Sequence, residues 1–273
     1  MGVLEATEFG TVLAGFPLYA QIRDILGSTG TIIPIGDTAQ ENAGRTTVTT
    51  LGSQEVVFTY SKDITTWDTP PTITGPGRLP LVTFDAVDEE ADTPDATFWS
   101  RDDAGGANGF SLGFWANVTN TGVARCFMAK YDETSNLREW ILFLNADDTM
   151  RLFLYDESVD GTGAFRNSDA AITMGSLRFF VATYDGTGGA TAADGITLYE
   201  DGGVIASAAT NQGTYEGMEN LAGVVSLGRN IGGSRFFNGT MVGGPLGPFF
   251  TQTELSAADV TRLYNIGKSA LGL

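Results

Sequence analysis

Between residues 110 and 207 the chain alternates apolar and polar side chains in short runs, and that two-residue period restricts it to β-strands. Three phrases carry it in order: FSLGFWANV, RFFVATYDG and ITLYEDGGVIAS. Inside this stretch residues 137–155 predict a hairpin, with REWILFL and MRLFLYD flanking the polar turn Asn145-Ala146-Asp147-Asp148-Thr149. Trp140, Leu142 and Leu144 share one face of the first strand; Ile141 and Phe143 share the other. A strand apolar on both faces needs two covers. In a two-sheet sandwich the opposing sheet is one, and a loop, the N-terminal segment or a neighbouring subunit supplies the other.

The 273 residues suffice for one large β-sandwich, or a sandwich with an appended segment. With 36 Gly, 17 Phe and 18% charged side chains, the composition is that of a folded, turn-rich β protein. A formal charge of −18 repels phosphate backbones and anionic lipid, which argues against nucleic-acid and membrane partners and favours solubility. No apolar run approaches a membrane span, and the opening MGVLEATEFG lacks the basic and apolar regions of a signal peptide. The absence of histidine excludes Ser-His-Asp and Cys-His catalysis and the commonest zinc ligand. A single cysteine, Cys126, allows no internal disulfide and fits a small core position.

Along the chain, FPLYAQIRDILG places Leu18, Ile22, Ile25 and Leu26 on one helical face, yet a strand there is equally open. Residues 46–51 and 55–60 predict strands around a two-residue turn at Gly52-Ser53. TWDTPPTITGPGRLP, with Pro70, Pro71, Pro76 and Pro80, is excluded from a central strand and marks a linker or edge crossing. It divides an N-terminal segment, 1–75, from a sandwich, 76–273. Near the end, Ser256 predicts a helix cap, Leu255 a staple to Val260, and Val260, Leu263 and Tyr264 a buried stripe that Gly267 terminates.

The three ordered phrases, a strand ending in Phe84-Asp85 before an acidic loop, and a closing Leu-Ser-x-x-acid helix together resemble the concanavalin A-like, laminin-G-like family. The resemblance covers roughly residues 81–267; Ala86 stands where that family usually has glycine. It implies an all-β, two-sheet antiparallel jelly-roll sandwich with a short C-terminal helix and an extended N-terminal segment. Glucanases of this fold use Glu-x-Asp-x-x-Glu to set two carboxylates on one strand face. The nearest run here, Glu90-Ala91-Asp92-Thr93-Pro94-Asp95, ends in Asp and is broken by Pro94, so the expectation is a protein that is not an enzyme. The final segment, 241–273, also resembles laminin-G-like proteins of tailed phages. That resemblance implies a virion surface protein, a capsid decoration or tail component assembled in the host cytoplasm, docking to other virion proteins or copies of itself through residues 1–75. The alternative is a secreted, extracellular carbohydrate-binding module, and more remotely a glucanase-type glycoside hydrolase.

Two candidate sites follow from residue type. Asp85, Asp88, Glu89 and Glu90 cluster hard oxygen donors suited to calcium, the one candidate cofactor, although their spacing is not that of a dedicated calcium loop and exposed turn acids are the favoured reading. Trp67, Trp99, Tyr131, Tyr215 and Asn230 are the aromatic and amide side chains that would serve a surface glycan, Trp99 because it lies beside Arg101 and Asp102. Trp140 belongs to the same residue class, whereas Trp115 is expected in the core.

Overall fold

A computed structural model describes residues 16–67, 69–75, 78–103, 108–119, 122–159, 162–233 and 235–273. The chain forms two antiparallel sheets packed as a sandwich, consistent with a jelly roll. The nine-stranded sheet runs, in spatial order, Ser207–Asn211, Thr162–Ala171, Thr149–Asp156, Leu137–Leu144, Arg125–Asp132, Val225–Leu227, Ala91–Thr93, Val57–Tyr60 and Thr47–Thr49. The ten-stranded sheet centres on Phe110–Val118, which pairs with Leu177–Tyr184 and Asn238–Val242. The expected phrases are therefore neighbours, and the chain leaves the ten-stranded sheet after Gly203–Val204 to enter the other at Ser207–Asn211.

Three apolar layers result from strand alternation. Phe110, Leu112, Phe114, Phe180 and Phe250 of one sheet meet Trp140, Leu142, Leu152 and Leu154 of the other in the central core. The outer face of the ten-stranded sheet, with Trp115, Phe179, Val181 and Phe249, is covered by helices Phe16–Leu26 and Ala257–Leu271. Trp115 is thus buried as expected, but outside the sandwich core, between Phe179 and Tyr264 at ring distances of 5.2 and 5.6 Å. The third layer, Cys126, Ala129, Ile141 and Phe143, lies on the outer face of the nine-stranded sheet, which neither helix covers.

The 137–155 hairpin forms with the expected faces, Trp140 pairing with Leu154 and Leu144 with Met150. The FPLYAQIRDILG segment resolves as helix, because Ile22, Ile25 and Leu26 must all meet the same apolar surface. Ser256 accepts from the Asp259 N–H and caps the second helix. Gly267 does not end it. The helix continues to Leu271 and terminates at Gly272, which takes the left-handed conformation with φ 73°. Gly267 is there for space: a Cβ would stand 2.4 Å from Trp115 Nε1.

Residues 16–75, expected as a segment apart from the sandwich, are built into it. Thr47–Thr49 and Val57–Tyr60 extend the nine-stranded sheet, Gly30–Ile32 pairs with Phe249–Thr251, and Thr72–Thr74 forms an edge of the ten-stranded sheet against Leu79–Asp85. Within the proline-rich stretch, Pro70 and Pro71 precede the edge strand and Pro80 lies opposite Ile73 in its neighbour; Pro76 lies outside the described residues. The connection near Gly52 is also wider than a two-residue turn, since Leu51–Gly52 leaves to pair with Thr31 and Ile32 of the other sheet. Residues 1–15 lie outside the described residues. Among the described residues no helix is long and apolar enough to cross a membrane.

Candidate functional site

Register places three outward rows across the uncovered face of the nine-stranded sheet. Ala129, Ile141, Phe153, Phe165 and Thr210 form one; Cys126, Phe143, Arg151, Asn167 and Ala208 a second. The third contains Tyr131 and Tyr155. Phe153 and Phe165 are part-exposed and stack at 5.5 Å with 21° between their planes. Gly163 makes room for that pair, since a Cβ there would stand 2.5 Å from Phe153 Cζ. Tyr155 lies 5.7 Å from Phe153 and 5.9 Å from Tyr131.

Three guanidinium groups lie over these rings. Arg138 sits 4.0 Å from the Tyr155 centroid and grips Glu157 with two hydrogen bonds of 2.7 Å. Arg235 approaches Phe143 at 5.5 Å and pairs with Glu133 at 2.5 Å. Arg151 stands 4.2 Å over Phe165 and 5.7 Å from Phe143. These stems and planes complete the second cover that the two-faced strand requires, burying Ile141 to 2% and Phe143 to 7% exposure. Of the expected glycan residues only Tyr131 is on this face; burial, with the nearby Glu133, pushes its phenol up to about 12.

The other four are interior, which corrects their assignment to an exposed platform. Trp67 is wedged between Tyr60 and Phe84, and Trp99 among Phe58, Phe98 and Phe250. Trp140 is likewise enclosed, donating its indole N–H to the Trp99 carbonyl at 3.0 Å. Trp99 turns inward because its N–H closes a turn onto Ala96, despite polar neighbours in sequence. Tyr215 donates to Asp103 at 3.0 Å in a fully enclosed site. Asn230 is 0% exposed, and its amide has no hydrogen-bond partner among the described residues.

Asp85, Asp88 and Glu89 do converge, each offering an oxygen within 4.8 Å of the others. These are oxygen donors of the calcium type, but a cation already stands among them: Lys62 Nζ is 2.9 Å from Asp88 and 3.5 Å from Glu89. The turn is set by Ala86 at φ 71°, the left-handed conformation that glycine would adopt without strain. Glu90 is not part of the cluster and pairs with Arg229; burial, reinforced by Asp92, pushes its carboxyl up to about 7. In the run compared with the glucanase motif, Glu90 and Asp92 both pair with Arg229, while Asp95 pairs with Lys130.

Two enclosed polar networks tie rim segments to the sandwich. Asp103 accepts from the hydroxyls of Tyr184 and Tyr215 and the N–H of Met218, while burial pushes its carboxyl up to about 6. Glu139 pairs with Lys130 at 2.6 Å and accepts from Leu221 N–H and Ser100 Oγ; burial pushes it up to about 7 against the pull of Lys130. Asp103, Glu139 and Lys130 are each 0% exposed, so they pin loops and meet no solvent.

No curated protein matches the chain by sequence. A family model described as concanavalin A-like lectin/glucanases superfamily matches residues 89–242, more than half of the chain. Among solved structures, the binding domain of botulinum neurotoxin DC in complex with SialylT is similar with a TM-score of 0.55 at 10% identity, over 88% of this chain and 52% of that one. A structure of botulinum neurotoxin type C, whose cell entry is described as dependent upon interaction with two ganglioside molecules, gives 0.54 at 12% identity over 90% and 52%. The botulinum neurotoxin DC binding domain with rat synaptotagmin II gives 0.54 at 10% identity over 88% and 52%. This chain spans about half the length of those structures, and at such identities the likeness is one of fold. The match over residues 89–242, with the sandwich they build, shows that the chain belongs to the concanavalin A-like lectin/glucanase superfamily.

Proposed function

We propose that this chain is a non-catalytic, lectin-like binding domain that recognises a glycan on the outer face of its nine-stranded sheet. The observation that carries this reading is the asymmetry of the two outer faces. Helices bury one, whereas the other presents a part-exposed Phe153–Phe165 stack beside Tyr131, Asn167 and three arginines. Aromatic planes with adjacent amide and guanidinium donors suit the apolar face and hydroxyl rim of a sugar ring. The engagement of Glu90 and Asp92 by Arg229 and of Asp95 by Lys130 supports the non-catalytic reading. A botulinum binding domain of similar fold occurs in complex with SialylT, and cell entry of botulinum neurotoxin type C is dependent upon interaction with two ganglioside molecules, which supports a glycan as ligand. The setting we attach is the virion exterior, from the resemblance of residues 241–273, and mass spectrometry of purified particles tests it.

The site itself is tested on a glycan array with the wild-type chain and Phe165→Ala. One saccharide class should bind, and losing a stacking ring should weaken it by about 1 kcal/mol, roughly fivefold. A blank array, or binding that Phe165→Ala leaves intact while its melting temperature matches the wild type, would refute the assignment.

A further inference from the structure

We infer that the glycan recognised here carries a carboxylate, and that Arg151 is the residue that takes it. The inference rests on the preceding reading of the face and adds the chemical class of its ligand. Of the three guanidinium groups over these rings, two already have a carboxylate partner and, among the described residues, Arg151 does not. On this face Glu157 neutralises Arg138, and Glu133 neutralises Arg235. Arg151 forms no ion pair among the described residues. The nearby Asp147 carboxylate is directed to Thr149, accepting from its N–H at 3.2 Å and its hydroxyl at 2.6 Å.

Arg151 is also held in place. Its Nε donates to Asn167 Oδ1 at 3.2 Å, that oxygen being fixed in turn by Asn145 Nδ2 at 2.6 Å. Its plane lies against Phe165, 4.2 Å from the ring centroid. Both terminal nitrogens are left without a protein acceptor among the described residues, next to the Phe153–Phe165 stack. A guanidinium fork oriented in this way matches the two oxygens of a carboxylate, and a ring-borne carboxylate reaches it while the sugar ring lies on the stack. A neutral sugar would leave the part-buried fork without an ionic acceptor.

The test is an array of uronate-containing and sialate-containing oligosaccharides, each beside its carboxyl-reduced counterpart, probed with wild type, Phe165→Ala, Arg151→Met and Arg151→Lys. An acidic member should bind at least about tenfold tighter than its reduced form, a difference of about 1.4 kcal/mol. Arg151→Met should remove that preference, and Arg151→Lys, which keeps the charge but not the fork, should restore only part of it. The uronate and sialate arms separate the two sources of the carboxylate. Phe165-dependent binding with equal affinity for both members, or an acidic preference that survives Arg151→Met, overturns this inference and leaves the recognition face standing. An array blank in every arm overturns both.

Discussion

Replacing Gly267 with alanine tests the packing of the covered face, because opposite signs follow from two roles for that residue. A mid-helix glycine in open space would gain about 1 kcal/mol on substitution by alanine. Here the added Cβ would stand 2.4 Å from Trp115 Nε1, 2.6 Å from Cε2 and 2.7 Å from Cζ2. The indole has little room to retreat, being flanked by Phe179 and Tyr264 and 2% exposed. Overpacking costs about 1–3 kcal/mol, and the upper part of that range applies to a ring held on both sides, leaving a net loss of about 1–2 kcal/mol. At this chain length that lowers the melting temperature by roughly 2–4 °C. Thermal and urea unfolding of wild type, Gly267→Ala, Trp115→Leu and the double variant form the cycle. In the Trp115→Leu background the alanine should become neutral or stabilising, giving a coupling of about 1–2 kcal/mol. Gly267→Ala that is equally costly in both backgrounds, or that stabilises the wild type, would refute the steric account.

Asp103 makes stability depend on pH in an unusual direction. Its carboxyl is raised from 3.8 to about 6, so its contribution is fully present below pH 3.8 and lost as pH rises through 6; Glu90 and Glu139, raised to about 7, act alike. Urea unfolding should show stability falling by about 2–3 kcal/mol per fully shifted group between about pH 4 and 7, with a shallower fall in Asp103→Asn; a wild-type profile that is flat or rises over this range would contradict the burial. At the acidic turn, Lys62 occupies the position a divalent cation would take, so calcium or chelator should leave the wild-type melting temperature unchanged, while Lys62→Met should gain a calcium-dependent rise. A calcium-dependent rise in the wild type would show that Lys62 does not guard the cluster.

The fold was legible wherever local periodicity is read directly into geometry. Strand alternation at 110–118 and 137–156, the cap at Ser256 and the helical stripe of Val260 and Leu263 depend on residues within a few positions of one another. The strands before residue 75 were harder to place, because their pairing partners, such as Phe249–Thr251 for Gly30–Ile32, are more than two hundred positions away. The same distance effect hid Gly267, whose requirement for a bare backbone is imposed by Trp115 on another element.

The candidate site was less legible than the fold. Aromatic identity and polar neighbours selected Trp67, Trp99, Tyr215 and Asn230, all of which the fold encloses. Alternation in MRLFLYD already placed Arg151, Phe153 and Tyr155 opposite Leu152 and Leu154, the signal that would have pointed to the exposed face. By itself the sequence determined an acidic, histidine-free β-sandwich with strands apolar on both sides, because composition and period-two patterning are local properties. Which outer face two helices would cover, and which of the three arginines on the other face would lack a carboxylate, was decided only by tertiary structure, since cover and charge pairing depend on segments far apart in the chain meeting in space.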